Sequence, residues 1–242
     1  MIIIGMSGAD NIVNNDLDIL EDKEILFASC DIKYFNNFGY PLVNSILENT
    51  SNHIHINIVN SEEKENFDLT HDNVSFSFTN LSAPPRALLA SYRFLMLPEI
   101  LQRVKKVLVI DADSIVNKHI DFPDSDWGLF LREPLPGTRG IEHYGSHVAA
   151  GAVFMTAKAL PIANWISTNI KKIGEESSWP WFVDQLVLYK AYENFKDQYN
   201  FKAIEPSFID WEFNDDTSIW TGKGPRKYNN TKFTTAVTKY KK

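Results

Sequence analysis

The chain lacks the features that mark secreted and membrane proteins. Its 242 residues include one cysteine, Cys30, which excludes an internal disulfide framework and fits a reducing compartment. No apolar run approaches the roughly 18–20 residues that a membrane span needs. The apolar start, residues 2–4, is not preceded by the basic region of a signal peptide. We therefore expect a cytoplasmic protein with no transmembrane segment.

Several catalytic and cofactor signatures are also missing. The sequence contains no Gly-x-Gly-x-x-Gly, no Walker loop, no zinc-site spacing and no Ser-His-Asp signature. His143 and His147 are four residues apart in a glycine-containing loop, a pair that by itself is a weak metal signal. His53 and His55 alternate with isoleucines, which predicts a strand with both histidines facing solvent.

Negative charge predominates, but it stops before the end of the chain. The formal net charge is −7, and all 31 acidic residues lie at or before Asp216. An acidic body argues against nucleic-acid binding. We expect the basic end to close over a diphosphate or to make a peripheral contact with an anionic membrane; a disordered, solubilising end is the alternative. Its basic residues are Lys223, Arg226, Lys227, Lys232, Lys239, Lys241 and Lys242.

The most informative segment is an apolar strand that ends in two carboxylates. Residues 107–110, Val-Leu-Val-Ile, predict a buried strand, and Asp111 and Asp113 follow it directly. Alternation along an extended chain places both side chains on the same side. Their mutual repulsion favours a bound cation, and hard oxygen ligands suit Mn²⁺ or Mg²⁺, ions that usually hold substrate phosphates as well. A solvated Asp-x-Asp loop is the alternative without function.

Strands and helices alternate through the first half of the chain. This order predicts an α/β fold with a mainly parallel sheet flanked by helices. We expect strands at residues 24–29, 53–59, 73–78, 107–110, 126–131 and 150–156, and helices at 38–47, 87–97, 159–173 and 182–192. Gly174 is expected to end the third helix, and residues 134–147 to form a loop. The chain divides into an N-terminal extension at 1–22, a main domain at 23–228 and a basic C-terminal tail at 229–242.

The end of the first predicted strand indicates a nucleotide contact. Ala28 and Ser29 are small enough to let a flat base or a phosphate approach the backbone. Asp31 can accept a hydrogen bond from a base imide, and Tyr34 can stack on the base. A turn aspartate and a core tyrosine are the alternative.

Three polar residues on predicted helices extend the candidate site. Arg93 lies between apolar neighbours and needs a partner, which Asp111, Asp113 or a diphosphate can supply. A helix arginine that extends to solvent is the alternative. Asp184 and Gln185 open a helix and are well placed beside a bound sugar, although Asp184 can equally be a helix cap.

A basic loop lies near the end of the main domain. Residues 220–227 read Trp-Thr-Gly-Lys-Gly-Pro-Arg-Lys. Gly222 permits a close approach of the backbone, and Lys223 offers a cation to an oxyanion. The loop therefore predicts a phosphate contact, although its spacing is not that of a Walker loop.

Taken together in this order, the motifs resemble glycosyltransferase family 8, the group of glycogenin-like and bacterial galactosyl- or glucosyltransferases. Members of this family have a single GT-A domain similar to a Rossmann fold, and the similarity spans residues 24 to 228. The matching segments are Ile-Leu-Phe-Ala-Ser-Cys-Asp at 25–31, Tyr-Arg-Phe at 92–94, Leu-Pro-Glu-Ile-Leu at 97–101, Lys-Val-Leu-Val-Ile-Asp-Ala-Asp at 106–113, Ala-Ala-Gly-Ala-Val-Phe at 149–154, Asp-Gln at 184–185 and Ile-Trp-Thr-Gly-Lys-Gly at 219–224.

The resemblance implies transfer of a hexose, with retention of configuration, from a nucleotide-diphospho-sugar to an acceptor hydroxyl. A UDP-sugar is the expected donor, and a glycan, a lipid-linked molecule or a protein the expected acceptor. Asp111 and Asp113 would hold Mn²⁺ or Mg²⁺ against the diphosphate, while Asp184 and Gln185 would face the sugar as catalytic residues. The donor-binding residues that the resemblance implies are Ala28, Ser29, Asp31, Tyr34, Arg93, Asp111, Ala112, Asp113, Gly222 and Lys223, with Lys223 at the leaving diphosphate.

Two positions depart from the pattern of the family. The histidine that supplies a third metal ligand is replaced by Ile219, and Ala149 stands where the family usually has asparagine. Two other functions therefore stay open. A GT-A-like domain that binds a nucleotide or glycan without catalysis fits the loss of the histidine. A haloacid dehalogenase-type phosphatase with Asp111 as its nucleophile fits the Asp-x-Asp strand.

Overall fold

The computed structural model describes residues 12–15, 17–60, 71–134 and 136–241. Strands in these residues are β1 Ile12–Asn15, β2 Glu24–Asp31, β3 His53–Val59, β4 Val74–Thr79, β5 Lys106–Ile110, β6 Ser114–Val116, β7 Trp127–Leu131, β8 Val148–Thr156, β9 Ile209–Asp210 and β10 Ile219–Thr221. Helices are α1 Ile32–Tyr34, α2 Tyr40–Asn49, α3 Arg86–Leu101, α4 Gly140–Gly145, α5 Leu160–Glu176, α6 Val183–Phe195, α7 Arg226–Asn229 and α8 Thr231–Tyr240. A π-helical segment, Phe35–Gly39, joins α1 to α2, and Leu17–Leu20 and Ala157–Ala159 are 3₁₀ turns.

A seven-stranded sheet forms the centre of the molecule, with strand order β1-β4-β3-β2-β5-β8-β7. Strands β4, β3, β2 and β5 run parallel to one another, whereas β1 is antiparallel to β4, and β8 is antiparallel to both β5 and β7. The predicted α/β class with a mainly parallel sheet is confirmed. Because β2 and β5 are adjacent and parallel, their carboxyl ends open at one edge, where such folds bind ligands. A small second sheet, β6-β10-β9, lies beyond this edge.

Helices cover both faces of the sheet. On one face α3 and α5 pack together, and Leu97 and Ile166 belong to the same buried apolar cluster as Val109 of β5. On the other face α2 buries Leu42 and Ile46 in a second apolar cluster. The apolar spacing of these helices thus meets the continuous apolar strands of a parallel sheet. None of the described helices has both the length and the apolar character that would let it cross a membrane.

Several predicted boundaries were wrong: the helix predicted at 87–97 continues through Pro98 to Leu101. Two further cases have a visible cause in the packing. Helix α5 continues past Gly174 to Glu176, and a Cβ atom at Gly174 would lie 2.5 Å from the indole of Trp179. Gly174 is therefore required by a close approach of a side chain and not by a helix end. The expected loop at 134–147 contains helix α4, which packs against α6.

The prediction that His53 and His55 face solvent was wrong as well. Strand β3 is buried on both faces, and the two imidazoles share hydrogen bonds with serines of β4, Ser75 and Ser77. Burial lowers the pKa of His53 to about 4 and that of His55 to about 3, so both are neutral at neutral pH. The hydrogen bonds continue to β2 and form a polar ladder, defined by His53, Ser75, His55, Ser77, Asn57, Thr79 and Ser29.

The predicted tail at 229–242 contains a packed helix. Helix α8 lies against α2, where the Asn44 side chain donates to the Tyr240 carbonyl at 2.8 Å, and Phe233 is fully buried. A disordered end is therefore wrong for residues 231–240. The predicted extension at 1–22 falls partly outside the described residues; Leu17 and Leu20 within it are fully buried.

Candidate functional site

A cavity of about 790 Å³ opens at the carboxyl ends of β2 and β5. It brings together predicted residues from five separate segments of the chain. One prediction lies elsewhere, because Ala28 is fully buried in the apolar cluster that contains α2. The predicted residues that line the cavity are Ser29, Asp31, Tyr34, Arg93, Asp111, Ala112, Asp113, Asp184, Gln185, Gly222 and Lys223.

Both carboxylate oxygens of Asp111 are engaged by neighbouring side chains. Oδ1 forms an ion pair with Arg93 Nη2 at 2.9 Å, and Oδ2 accepts a hydrogen bond from Thr221 Oγ1 at 3.2 Å. The close fit depends on Gly151 of β8, where a Cβ atom would lie 3.0 Å from Oδ2. The Asp111 carboxylate is thus held by side chains of α3 and β10, with the backbone of β8 close beside it.

Arg93 connects two of the site's carboxylates. It lies on α3 with 7% of its surface exposed, which rules out the solvent-extended alternative. Its guanidinium pairs with Asp111 as predicted and lies 3.7 Å from Asp184 Oδ2. It also donates to the carbonyls of Ala90 at 2.8 Å and Ala150 at 3.2 Å. A buried arginine with these partners fixes the carboxylates in place.

Asp113 is held by a lysine that the sequence alone did not single out. Its Oδ2 accepts a hydrogen bond from the Tyr34 hydroxyl at 2.6 Å and pairs with Lys227 Nζ at 2.6 Å. Burial raises the pKa of Asp113, and the charge of Asp111 adds to this, whereas Lys227 opposes it. The sequence showed Lys227 only as one cation of the basic loop, with no signal that separated it from Lys223.

Tyr34 and Asp31 have structural partners at the edge of β2. The Asp31 carboxylate caps α1 by accepting from the Tyr34 backbone N–H at 2.7 Å, which matches the turn alternative. Burial and the neighbouring Asp113 raise the pKa of the Tyr34 hydroxyl, which therefore stays a protonated donor. Contact of either residue with a base stays a prediction.

Asp184 and Gln185 open α6 at the opposite wall of the cavity. The helix begins after Phe182, whose φ of 71° turns the chain into it, so Asp184 lies in the first turn and not at the cap. Burial raises the pKa of Asp184, although the charge of Arg93 opposes the shift. The Gln185 side-chain oxygen accepts from Arg132 at 3.3 Å, a partner that the sequence gave no reason to expect.

The basic loop approaches the carboxylates through its backbone. The Gly222 N–H donates to the Asp113 carbonyl at 2.8 Å, and a Cβ atom at Gly222 would lie 2.8 Å from Lys227 Cβ. The Lys223 ammonium lies 4.4 Å from the centre of the Trp211 ring. Burial, with a contribution from the charge of Arg132, lowers the pKa of Lys223 to about 8. Most Lys223 side chains are thus charged at neutral pH, but not above pH 8.

The donor atoms do not fit the three-ligand metal site that the resemblance implies. Ile219 is fully buried in β10 among apolar residues, and Thr221 is the β10 residue that reaches Asp111. Across the described parts of the chain, no three His, Cys, Asp or Glu residues group in a way that could hold a metal ion. His147 stacks on Tyr189 with ring centres 4.4 Å apart and does not line the cavity.

Solved structures of glycosyltransferases share this fold. A crystal structure of the galactosyltransferase LgtC, in complex with donor and acceptor sugar analogues, matches 88% of this chain and 95% of its own, with a TM-score of 0.61 and 14% identity. The glycosyltransferase GlyE of Streptococcus pneumoniae TIGR4 matches 91% of this chain, with a TM-score of 0.61 and 15% identity, and this match spans 60% of GlyE. No model of a known protein family matches the sequence. No curated protein matches it either.

These likenesses establish the fold. The chain has the mixed sheet and flanking helices of the GT-A glycosyltransferases, as the sequence predicts. At 14–15% identity they say nothing of donor, acceptor or metal.

Proposed function

We propose that this protein is a glycosyltransferase that moves a sugar from a nucleotide-diphospho-sugar to an acceptor hydroxyl. A UDP-sugar is the proposed donor, and a glycan, a lipid-linked molecule or a protein the proposed acceptor. The observation that carries the proposal is the convergence of carboxylates and cations in one cavity at the carboxyl ends of β2 and β5. In a GT-A fold this edge is where a ligand is expected.

The reaction would need charge stabilisation at the leaving group. The bond between the anomeric carbon and the diphosphate oxygen breaks, its electron pair stays on the diphosphate, and the acceptor oxygen bonds to the anomeric carbon. The products are the glycoside, the nucleoside diphosphate and one proton from the acceptor hydroxyl. Lys223, Lys227 and Arg93 line the cavity. We propose that their charges bind the diphosphate and stabilise the transition state more than the ground state.

Each wall of the cavity has a proposed role. Asp184 and Gln185, on α6, would face the sugar, and Asp31, at the end of β2, and Tyr34, in α1, would face the nucleoside. All four residues line the cavity. Mn²⁺ or Mg²⁺ at the two carboxylates stays a prediction that the donor atoms do not favour, and retention of configuration stays a prediction as well. The cytoplasmic location and the peripheral membrane contact of the basic end also stay predictions. Sedimentation with anionic vesicles tests the membrane contact.

A second candidate is a domain that binds a nucleotide or glycan without transfer. Ile219, in place of a third metal ligand, is the observation that favours it. The phosphatase alternative is not favoured, because the chain has a GT-A fold and both oxygens of its proposed nucleophile, Asp111, are engaged.

Binding and turnover are tested separately. We expect UDP or GDP to raise the unfolding temperature of the wild type; a ligand at 100 times its dissociation constant adds about 2.7 kcal/mol. Release of nucleoside diphosphate from the matching nucleotide-sugar, lost in Asp184→Asn while binding persists, would support transfer. Binding with no release from any donor in the presence of acceptors would favour the second candidate. If no nucleotide binds, both the transferase and a nucleotide-binding domain without transfer are excluded.

A further inference from the structure

We propose that the Lys227 ammonium is the resident cation of this site and that it binds the donor diphosphate in place of a divalent metal ion. The proposal rests on the proposed function, since it assigns a role toward the same nucleotide-diphospho-sugar. It makes the protein a metal-independent GT-A transferase.

The first support is the position of the ammonium. Lys227 Nζ lies 2.6 Å from Asp113 Oδ2 and 2.5 Å from the Tyr34 hydroxyl, and 15% of the side chain is exposed, toward the cavity that Lys227 lines. Asp113 is one of the two carboxylates that the sequence assigned to a metal. An ammonium with a carboxylate on one side and an open cavity on the other can still donate to a phosphate oxygen.

The second support is the aromatic surround. The ammonium lies 5.0 Å from the ring centre of Tyr34, 5.5 Å from that of Phe38 and 5.8 Å from that of Tyr228. Aromatic faces at these distances attract an ammonium ion but supply no ligand atoms to a dehydrated Mg²⁺ or Mn²⁺. The surroundings of Asp113 are therefore those of an organic cation.

The third support is the shortage of metal ligands. Ile219 cannot coordinate, and the oxygens of Asp111 are already bound by Arg93 and Thr221. Lys223 and Lys227 both line the cavity and together bring two positive charges, the charge of one divalent ion. A metal ion at Asp113 would have to displace Lys227 from its partners.

The test is calorimetric titration with UDP and GDP in EDTA, in Mg²⁺ and in Mn²⁺. We expect the wild type to bind one nucleotide equally well in all three buffers. Lys227→Met should weaken this binding in EDTA by about 10- to 100-fold, the loss of a charge-assisted contact, and Lys227→Arg should recover part of it. Lys232→Met is the matched control, because that exposed lysine pairs with Asp215, outside the cavity lining, and its loss should leave affinity unchanged.

Direct metal binding gives an independent readout. We expect the electron paramagnetic resonance signal of Mn²⁺ to show no ion bound to the wild type, with or without UDP. Nucleotide binding that requires Mn²⁺ and is lost in EDTA would overturn the inference and leave the proposed function standing. Absence of nucleotide binding in every buffer would overturn both. Circular dichroism of Lys227→Met checks that the variant is folded, and unchanged affinity in Lys227→Met would overturn the inference alone.

Discussion

Asp111 and Asp113 are separated by a single residue, yet they are held by two very different parts of the molecule. Asp111 pairs with Arg93 on the 16-residue helix α3, which is buried against the sheet and against α5. Asp113 pairs with Lys227 on α7, a helix of four residues with no buried side chain. The first pair belongs to the core half of the site (β5, α3), and the second to its C-terminal half (β10, α7).

The comparison shows how one motif can combine a fixed and an adjustable contact. Arg93 has four oxygen partners, on α3, α6, β8 and the residue after β5, so its removal leaves buried oxygens without a donor. The Lys227 ammonium contacts Asp113 and Tyr34, but its backbone lies on a short helix whose position depends on the loop at Gly222 and on the packing of α7 against α8. We therefore expect changes in the core half to cause the larger losses of folding stability, and changes in the C-terminal half to cause smaller losses of stability together with effects on ligand affinity.

The largest effect is expected for Arg93→Met. This change leaves the buried Asp184 and the partly exposed Asp111 without the buried cation that they share, which should cost about 3–5 kcal/mol of unfolding free energy. Chemical denaturation measures the loss. Arg103→Met is the control, because the Arg103 side chain is 30% exposed in its pair with Glu99, against 8% for Arg93, and its removal should cost at most about 1 kcal/mol. Equal losses in the two variants would contradict the buried role of Arg93.

Gly222→Ala should have a smaller effect on stability. Its Cβ atom would lie 2.8 Å from Lys227 Cβ and 3.0 Å from the Asp113 carbonyl, so the loop must shift. We expect a loss of about 1–3 kcal/mol, together with weaker nucleotide binding. Gly224→Ala separates backbone strain from this steric effect. The φ of Gly224 is 58°, which strains alanine, but a Cβ atom there would have no atom within 4 Å, so nucleotide affinity should change little. If both variants bind UDP as tightly as the wild type does, the position of the loop at Gly222 does not control nucleotide affinity.

The pH dependence of nucleotide affinity tests Lys223. Because burial lowers its pKa to about 8, the ammonium is mostly present at pH 7 and mostly absent at pH 9. Affinity that depends on this charge is therefore present below pH 8 and falls as the pH rises through it, by up to about tenfold between pH 7 and pH 9. Lys223→Gln should bind more weakly at pH 7 and show a flat profile. A wild-type profile that is itself flat over this range would remove Lys223 from the diphosphate site.

The smallest effect is expected for Thr221→Val, a change of nearly equal volume. It removes one hydrogen bond to Asp111 and leaves the pair with Arg93 intact, so we expect a loss of about 0.5–1.5 kcal/mol. Thermal unfolding of Thr217→Val provides a comparison. The Thr217 hydroxyl also donates to a carboxylate, but that carboxylate is Asp210 and not Asp111 or Asp113. A loss near that of Arg93→Met would show that the two halves are not separable.

The sequence predicted the core half of the site better than the C-terminal half. An apolar strand followed by Asp111, with a buried arginine on a preceding helix, is a local pattern that leaves few arrangements. Which cation of the basic loop reaches Asp113 depends on how the chain turns at Gly222, and nothing in the composition separates Lys223 from Lys227. Contacts between residues distant in sequence, such as Asp113 and Lys227, determine which lysine pairs with the carboxylate.

The failed predictions have a similar origin. The alternation around His53 and His55 predicts one solvated face, but β3 is an inner strand with serines of β4 beside it. Glycine is typical of a helix end, but Gly174 lies inside α5, where the close approach of the Trp179 ring leaves no room for a side chain. In both cases tertiary packing outweighed a sound local rule.

The polar ladder between β3 and β4 also protects the sheet against mispairing. Ser75 and Ser77 lie opposite His55 and Asn57, while Phe76 and Phe78 point to the other face. A one-residue slip of β4 would place phenylalanine rings against the buried imidazole and amide, whose polar groups would then lack partners. The alternation Val-Ser-Phe-Ser-Phe-Thr thus excludes the slipped alignment on both faces of the sheet at once.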